Sequence, residues 1–152
     1  MATQKRRPTI AVDLDGTILS YGHWLGPDHY GELRTGAIRF LNKLSQHGDV
    51  VIHTCRANFT EEPKLRYELM NIFEAACRPQ FAHGHSPPPI REMKDLYDYP
   101  PRLTVWADKG KPLAAIYIDD RAGNIPANPT PEEYERCYEW AVKFLRERGD
   151  IE

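Results

Sequence analysis

The sequence predicts an α/β fold, a Rossmann-like three-layer α/β/α arrangement with a mainly parallel central sheet. Short apolar runs alternate along the chain with longer segments of helical periodicity. Three of those runs stop abruptly at polar, reactive residues. Ligands of open parallel sheets bind outside the carboxyl ends of the strands. We therefore expect one site, assembled at that edge from residues far apart in the chain.

The first predicted strand covers residues 9–12, where β-branched and apolar residues follow Pro8. It ends at Asp13 and Asp15, which are two positions apart and therefore project to the same side of an extended chain. Two carboxylates this close repel each other unless a cation offsets their charge. Gly16 permits the tight turn that leaves the strand end open. This stretch predicts a metal-binding strand end.

The next segment, residues 19–34, is rich in Gly, His and Tyr and is interpreted as a flap. Thr35 is the predicted N-cap of a helix that closes at Gly48. A second apolar strand over residues 49–53 leads directly into Thr54. The second strand is thus also expected to end in hydrogen-bonding side chains.

Thr60 is predicted to begin the second helix. Its expected buried stripe consists of Leu65, Leu69, Ile72, Phe73 and Ala76. Residues 80–82 and 103–106 are candidate short strands. Residues 83–102 are rich in proline, which cannot continue a helix or a central strand, so they predict an irregular loop and a candidate partial lid.

The last strand is predicted over residues 114–118 and ends at Asp119 and Asp120. Thr130 and Glu133 have the spacing of a capping box at the start of the final helix. The expected inward face of that helix consists of Tyr134, Cys137, Tyr138, Ala141, Phe144 and Leu145. The whole chain is interpreted as one domain.

The residues at these strand ends form an oxygen-rich set: Asp13, Asp15, Thr54, Asp119 and Asp120. Oxygen ligands suit a hard cation such as Mg²⁺, which keeps open positions for a phosphate oxygen. Phosphoryl transfer is the reaction class that follows. The sequence contains no Gly-rich P-loop for a nucleoside triphosphate. One carboxylate can then act as the nucleophile and form an acyl phosphate.

These motifs resemble those of the haloacid dehalogenase superfamily, in its branch of Asp-based phosphatases. The run Asp-Leu-Asp-Gly-Thr at residues 13–17 resembles the first motif of that family, and Thr54 the second. Either Lys111 or Lys109 resembles the third motif, and residues 118–120 the fourth. Members of that family differ in cap domains inserted between the motifs. Here the first gap holds only the flap, and the second must also supply a helix and short strands, so the resemblance implies a small capless or minimally capped member.

The resemblance implies a role for each motif residue. Asp13 would be the nucleophile that forms an aspartyl phosphate, and Asp15 the general acid and base. An aspartate at that second position is typical of the phosphatases rather than the dehalogenases. Thr54 would bind the phosphoryl oxygens, and Lys111 would bind and neutralise the phosphate.

The resemblance also implies a magnesium site. Its ligands would be the side chain of Asp13, the backbone carbonyl of Asp15 and one carboxylate of the fourth motif. Both Asp119 and Asp120 are candidates for that last ligand. Asp120 is favoured because Asn124 follows it at the spacing of a supporting residue in the family.

Several side chains are candidates for substrate contacts. Arg56 follows the second strand and is interpreted either as a substrate-binding residue or as an ordinary exposed arginine. Aromatic residues in the irregular segments either line a substrate pocket or pack as ordinary apolar side chains: Trp24, Tyr30, Tyr97 and Tyr99.

Composition limits the classes of partner. A net charge of −2 gives no reason to expect binding to nucleic acid or to a membrane surface. No apolar run approaches the roughly 18 residues that a membrane span needs. Three cysteines without metal-ligand spacing fit free thiols in a reducing compartment, so a cytoplasmic location is expected.

The sequence therefore predicts a Mg²⁺-dependent phosphomonoester hydrolase. Its partner would be a phosphorylated small molecule or macromolecule, and a homo-oligomer is a candidate source of a lid for the open site. Two other hypotheses are a catalytically silent module on the same fold and a phosphatase of nucleic-acid ends. The latter is disfavoured by the lack of a basic stripe.

Overall fold

The computed structural model describes residues 5–77, 104–106 and 112–152. The two candidate lysines, Lys109 and Lys111, lie outside the described residues. So do the candidate strand at residues 80–82 and the proline-rich segment 83–102, which contains Tyr97 and Tyr99.

The described core is a sheet of four parallel strands in the order β3-β2-β1-β4. These strands are β1 (Thr9–Asp13), β2 (Asp49–His53), β3 (Thr104–Val105) and β4 (Ile116–Ile118). Three helices accompany them: α1 (Ala37–Ser45), α2 (Glu62–Cys77) and α3 (Pro131–Glu147). The predicted α/β class is confirmed, because this is a small Rossmann-like arrangement.

The register of the sheet aligns the ends of three strands. Asp13 pairs with His53, and Val12 pairs with Ile118. The residues that come next in each strand therefore emerge side by side at one edge of the sheet. These neighbours include Thr54 after β2 and Asp119 after β4, as the sequence predicts.

Apolar side chains of the loop after β1 pack into the core and hold that loop in place. Leu14, Ile18 and Leu19 are completely buried in the core. Their burial holds Asp15 and Thr17, which lie between them, in place at the edge of the sheet. α1 packs against α3, and α2 packs against β3. None of the helices in the described parts of the chain is long and apolar enough to cross a membrane.

The predicted N-cap of α1 is wrong. The capping residue is Gly36, with φ 90°, and Thr35 is exposed just before it. No side chain caps this helix; instead, the N–H of Ala37 donates to the carbonyl of Arg34 at 3.1 Å. A Cβ at Gly36 would lie 3.2 Å from the Cα of Pro131, so the closeness of α3 favours glycine there.

α2 begins at Glu62 rather than at Thr60. A short 3₁₀ helix, Cys55–Asn58, precedes it, and the N–H of Thr60 donates to the carbonyl of Arg56 at 2.9 Å. The buried face of α2 consists of Leu65, Leu69, Phe73 and Cys77. The predicted Ala76 is exposed because the buried positions recur every four residues, whereas Ile72 is partly buried.

The capping box of α3 is confirmed. Thr130 Oγ1 accepts from the N–H of Glu133, and the Glu133 carboxylate accepts from the N–H of Thr130. The buried residues of this helix are Tyr134, Cys137, Ala141, Val142 and Leu145. Tyr138 and Phe144, also predicted to face inward, are partly buried against the core.

Candidate active site

Three carboxylates converge at the sheet edge. One oxygen each from Asp13, Asp119 and Asp120 lies within 4.8 Å of the others, and all three residues are partly buried. Asp13 ends β1, Asp119 follows β4, and Asp120 begins the 3₁₀ helix Asp120–Ala122. The sequence predicts this convergence, although more than a hundred positions separate the first carboxylate from the other two.

The environment of the acidic cluster disfavours the ionised form of Asp13. Burial raises the pKa of the Asp13 carboxyl to about 8, and the charge of Asp119 and a hydrogen bond with Asp120 act in the same direction. Near neutral pH, Asp13 is therefore largely protonated unless a cation takes the place of its proton.

Thr17 connects two members of this cluster. Its Oγ1 lies 3.3 Å from Asp13 Oδ2 and 3.3 Å from Asp120 Oδ1, and it accepts from the N–H of Asp120. A hydroxyl has one proton, so it donates to one carboxylate at a time. The hydroxyl of Tyr134 in α3 donates to the carbonyl of Thr17, which fixes the loop against that helix. Thr17 thus positions Asp13 relative to Asp120.

Asn124 supports the other side of the cluster. Its Oδ1 accepts from the N–H of Asp119 at 3.0 Å, and its Nδ2 donates to the carbonyl of Tyr117 at 2.6 Å. One oxygen of Asp119 also accepts from the N–H of Arg121 at 2.9 Å. The supporting contact of Asn124 therefore acts on the backbone of Asp119, and the cluster contains both candidate ligands of the fourth motif.

Asp15 points to a different partner. Its two carboxylate oxygens accept from Nε and Nη2 of Arg56, each at 2.8 Å. Arg56 is only 2% exposed. A bidentate pair of this kind fixes both the distance and the orientation of the carboxylate. The carboxylate of Asp15 is thus held apart from the three that form the acidic cluster.

Arg56 also holds the flap, residues 19–34. Its guanidinium donates to the carbonyls of Pro27 at 3.0 Å and His29 at 2.7 Å. The rings of Trp24 and Tyr30 lie over it, with their centroids 5.1 and 4.4 Å from the guanidinium carbon. The sequence-based alternative of an ordinary exposed arginine is wrong, and the substrate-binding role stays a prediction.

Hydrogen bonds from Asn128 also join the flap to the end of the loop before α3. The side chain of Asn128 accepts from the N–H of Tyr21 at 2.8 Å and donates to its carbonyl at 3.1 Å. The N–H of Asn128 donates to the carbonyl of Gly16 at 2.7 Å. Asn128 therefore ties the flap, through its side chain, to the loop that carries the aspartates, which its backbone N–H contacts.

Thr54 completes the polar floor of the site. It is 5% exposed, and its Oγ1 accepts from the N–H of Arg56 at 3.2 Å. A hydroxyl that accepts one bond still has a proton to donate. A cavity of about 340 Å³ opens above these residues, and its lining includes Thr54, Asp13, Asp15 and Asp119.

Sequence reasoning missed three of these relationships. It did not predict the ion pair of Arg56 with Asp15, the position of Thr17 between two carboxylates, or the hydrogen bonds of Asn128 to the flap. The Asn-Pro dipeptide at residues 128–129 is a turn signal, and it marks Asn128 as a residue with a local structural role. The contacts of Arg56 and Thr17 depend on the folded chain and have no such local signal.

No protein-family model, curated protein or solved structure matches the chain. The function is therefore inferred from the arrangement of the chain's own side chains. Membership of the haloacid dehalogenase superfamily stays a prediction from the sequence motifs.

Proposed function

We propose that the protein is a Mg²⁺-dependent phosphomonoester hydrolase of the haloacid dehalogenase type. The observation that carries this proposal is the cluster of three carboxylates within 4.8 Å of one another at a cavity that also contains Asp15 and Thr54. Such a set provides a nucleophile, a separate proton-transfer group and a phosphate-binding hydroxyl.

The donor set fits a magnesium ion. Asp13, Asp119 and Asp120 offer hard carboxylate oxygens. Burial first, and the neighbouring carboxylates second, raise the pKa of Asp13, so a bound cation would offset a negative charge that the site alone disfavours. These three residues would hold the ion, together with the Asp15 carbonyl that the resemblance implies. Bound there, Mg²⁺ would supply Lewis-acid stabilisation of the charge that develops on the phosphoryl oxygens.

The first half of the reaction belongs to Asp13 and Asp15. The Asp13 carboxylate attacks phosphorus, so that a bond from its oxygen to phosphorus forms while the ester P–O bond breaks. Asp15 gives a proton to the departing oxygen. A carboxylate has about four lone-pair sites, so Asp15 keeps sites for proton transfer while Arg56 occupies two. The Thr54 hydroxyl donates to a phosphoryl oxygen.

The second half regenerates the enzyme. Asp15 removes a proton from a water molecule, whose oxygen attacks the phosphorus of the aspartyl phosphate. The bond between phosphorus and Asp13 breaks, inorganic phosphate leaves, and Asp13 returns as a carboxylate. A role for Lys111 or Lys109 in neutralising the phosphate stays a prediction from the sequence.

Replacement of Asp13 tests the proposal. Asp13→Asn is expected to abolish Mg²⁺-dependent hydrolysis of an aryl phosphate while circular dichroism shows an unchanged fold. Asp49→Asn is the matched control, since the Asp49 side chain is 67% exposed and bonds Arg7 at the start of β2. Full activity in Asp13→Asn would overturn the assignment of the nucleophile. Activity that persists in excess chelator would overturn the metal dependence.

A further inference from the structure

Aromatic rings share the cavity with the acidic cluster. Tyr21 and Trp24 of the flap and Trp106 after β3 all line it. Trp24 is 40% exposed and contacts the ring of Phe59, which is 65% exposed, with the centroids 5.5 Å apart. Single exposed apolar side chains are common, but adjoining aromatic rings beside a polar cavity are typical of ligand sites.

Trp24 is fixed before any ligand arrives. Its ring lies over the guanidinium of Arg56, 5.1 Å from the guanidinium carbon, and Arg56 is bonded to Asp15. Through these contacts, the indole has a defined position relative to Asp15, the proposed general acid. A ring held in place loses little conformational freedom when a ligand binds.

The charged side chains in the cavity limit the charge that a ligand can carry. Its described lining contains the carboxylates of Asp13, Asp15 and Asp119 and a single arginine, the exposed Arg121. This balance accommodates a cation with one phosphate and disfavours a second anionic group. The volume of about 340 Å³ is that of a small-molecule site. Among the described residues, the contacts available to the remainder of the ligand are therefore mainly uncharged.

From these observations we infer, on the basis of the proposed function, that the substrate is a small phosphate monoester whose leaving group carries a planar aromatic ring. The ring stacks against Trp24 and the neighbouring aromatic side chains while the phosphate reaches Asp13. A nucleoside monophosphate and an aryl phosphate both present this chemistry. A sugar phosphate lacks the ring.

Two esters that differ only by a base test the inference. Adenosine 5′-monophosphate and ribose 5-phosphate share the same primary phosphoester, so their chemical reactivity is matched. Stacking of a base on an aromatic side chain changes affinity by about 5- to 150-fold. We expect kcat/KM for the nucleotide to exceed that for ribose 5-phosphate by about tenfold or more.

Three variants assign that preference to one ring. Trp24→Leu is expected to reduce the ratio of the two kcat/KM values to near one, and Trp24→Phe to restore most of it. Trp140→Leu is the control, because Trp140 is also 40% exposed but lies on α3, stacked on Phe144. It is expected to leave the ratio unchanged.

A binding measurement separates the aromatic site from the catalytic proposal. Asp13→Asn removes the proposed nucleophile, so affinities can be measured by calorimetry without turnover. The first pair of ligands is adenosine 5′-monophosphate and ribose 5-phosphate. The second pair is phosphotyrosine and phosphoserine, which distinguishes an aryl phosphate from a nucleotide as the source of the ring.

The outcomes are distinct. The aromatic site is overturned, and the phosphatase proposal is not, if three results coincide. Both sugar-based esters are hydrolysed at equal kcat/KM in an Asp13-dependent reaction, Trp24→Leu does not change these values, and neither binding pair shows a preference for its aromatic member. Preferential binding of an aromatic ligand that is lost in Trp24→Leu supports the site even where no ester is hydrolysed, and the phosphatase proposal then fails alone. Absence of binding and of turnover overturns both.

Discussion

The carboxylate of Asp15 and the guanidinium of Arg56 form a two-bond ion pair, with both N···O distances at 2.8 Å. Arg56 is 2% exposed, and two further N–H groups of its guanidinium donate to carbonyls of the flap. Arg56 thus bonds both the proposed general acid and the flap, and it fixes their positions relative to each other. Arg56 is a positioning residue if it acts through Asp15, and a binding residue if it meets the substrate itself.

Arg56→Lys separates these roles. Lysine keeps the charge but cannot donate to both oxygens in the planar geometry of a guanidinium. We expect kcat for an aryl phosphate to fall about 10- to 100-fold, the equivalent of losing one charge-assisted hydrogen bond, with KM little changed. The pH profile of kcat is expected to shift as well, since the affected group transfers a proton.

Arg66→Lys is the control for this substitution, because Arg66 is exposed on α2 and pairs with Glu62. It is expected to behave as the wild type. A rise in KM with unchanged kcat in Arg56→Lys would instead support the direct substrate contact that the sequence suggests. Arg56→Ala leaves Asp15 buried without its partner and is expected to cost about 3 kcal/mol of folding stability, measured by urea unfolding.

Without a metal ion, the stability of the protein is expected to fall as the pH rises. Asp13 titrates near pH 4 in an unfolded chain, whereas burial and the neighbouring carboxylates raise its pKa to about 8 in the folded protein. Between these values the folded protein binds more protons than the unfolded chain, so the free energy of unfolding decreases with pH. Urea unfolding in chelator at pH 5 and pH 8 measures this decrease.

Magnesium is expected to reverse that loss. A cation that binds the deprotonated cluster stabilises only the folded state, and its effect should be larger at pH 8 than at pH 5. Asp13→Asn removes the titrating group and should flatten both the pH dependence and the response to Mg²⁺. An equally steep pH dependence in Asp13→Asn would show that other groups cause it.

Gly16 is expected to be required for the acidic cluster. Its φ is +83°, and a Cβ there would lie 3.0 Å from Asp120 Oδ2. Gly149 has a similar φ of +76°, and no atom of the described parts of the chain outside its immediate neighbours lies within 4 Å of the added Cβ, which makes it a matched control. Both Gly→Ala substitutions should cost about 1–2 kcal/mol from backbone strain.

Only Gly16→Ala should also weaken the response to Mg²⁺, because it displaces the carboxylate of Asp120. Thermal unfolding with and without Mg²⁺ measures both effects for the two variants. If the two variants responded alike to Mg²⁺, the close approach of Gly16 to Asp120 would have no functional role.

The sheet and the identity of the acidic residues could be predicted from the sequence because their signals are local. Apolar runs mark β1, β2 and β4, and each run stops at the residue that enters the site. A parallel sheet then brings those ends together whatever the details of the helices. The capping box of α3 is equally local, since Thr130 and Glu133 are three positions apart.

The sequence could not predict that Asp13 joins the acidic cluster while Asp15 pairs with Arg56. Asp13 and Asp15 look equivalent in an extended strand, yet Asp15 lies beyond the end of β1 and reaches Arg56, 41 positions later. The start of α1 was missed for a similar reason: the proximity of Pro131 in α3 favours Gly36 over a side-chain cap. Both outcomes depend on contacts between segments that are distant in sequence.

Asn128 is expected to control the order of the flap. Its side chain bonds both the N–H and the carbonyl of Tyr21, and its φ of 51° is a conformation that glycine adopts without strain. Asn128→Gly therefore removes the two hydrogen bonds while the backbone stays compatible. We expect a loss of about 1–2 kcal/mol in local stability, measured as faster amide exchange at Tyr21.

Asn128→Asp is the intermediate variant, because its carboxylate still accepts from the N–H of Tyr21 but donates nothing to the carbonyl. Its amide exchange should fall between those of the wild type and Asn128→Gly. Since Trp24 lies in the same flap, Asn128→Gly is also expected to lower kcat/KM, whereas stabilisation by Mg²⁺ should persist because the three carboxylates of the cluster are untouched. An unchanged rate of amide exchange at Tyr21 in Asn128→Gly would show that the hydrogen bonds of Arg56 to Pro27 and His29 hold the flap without those of Asn128.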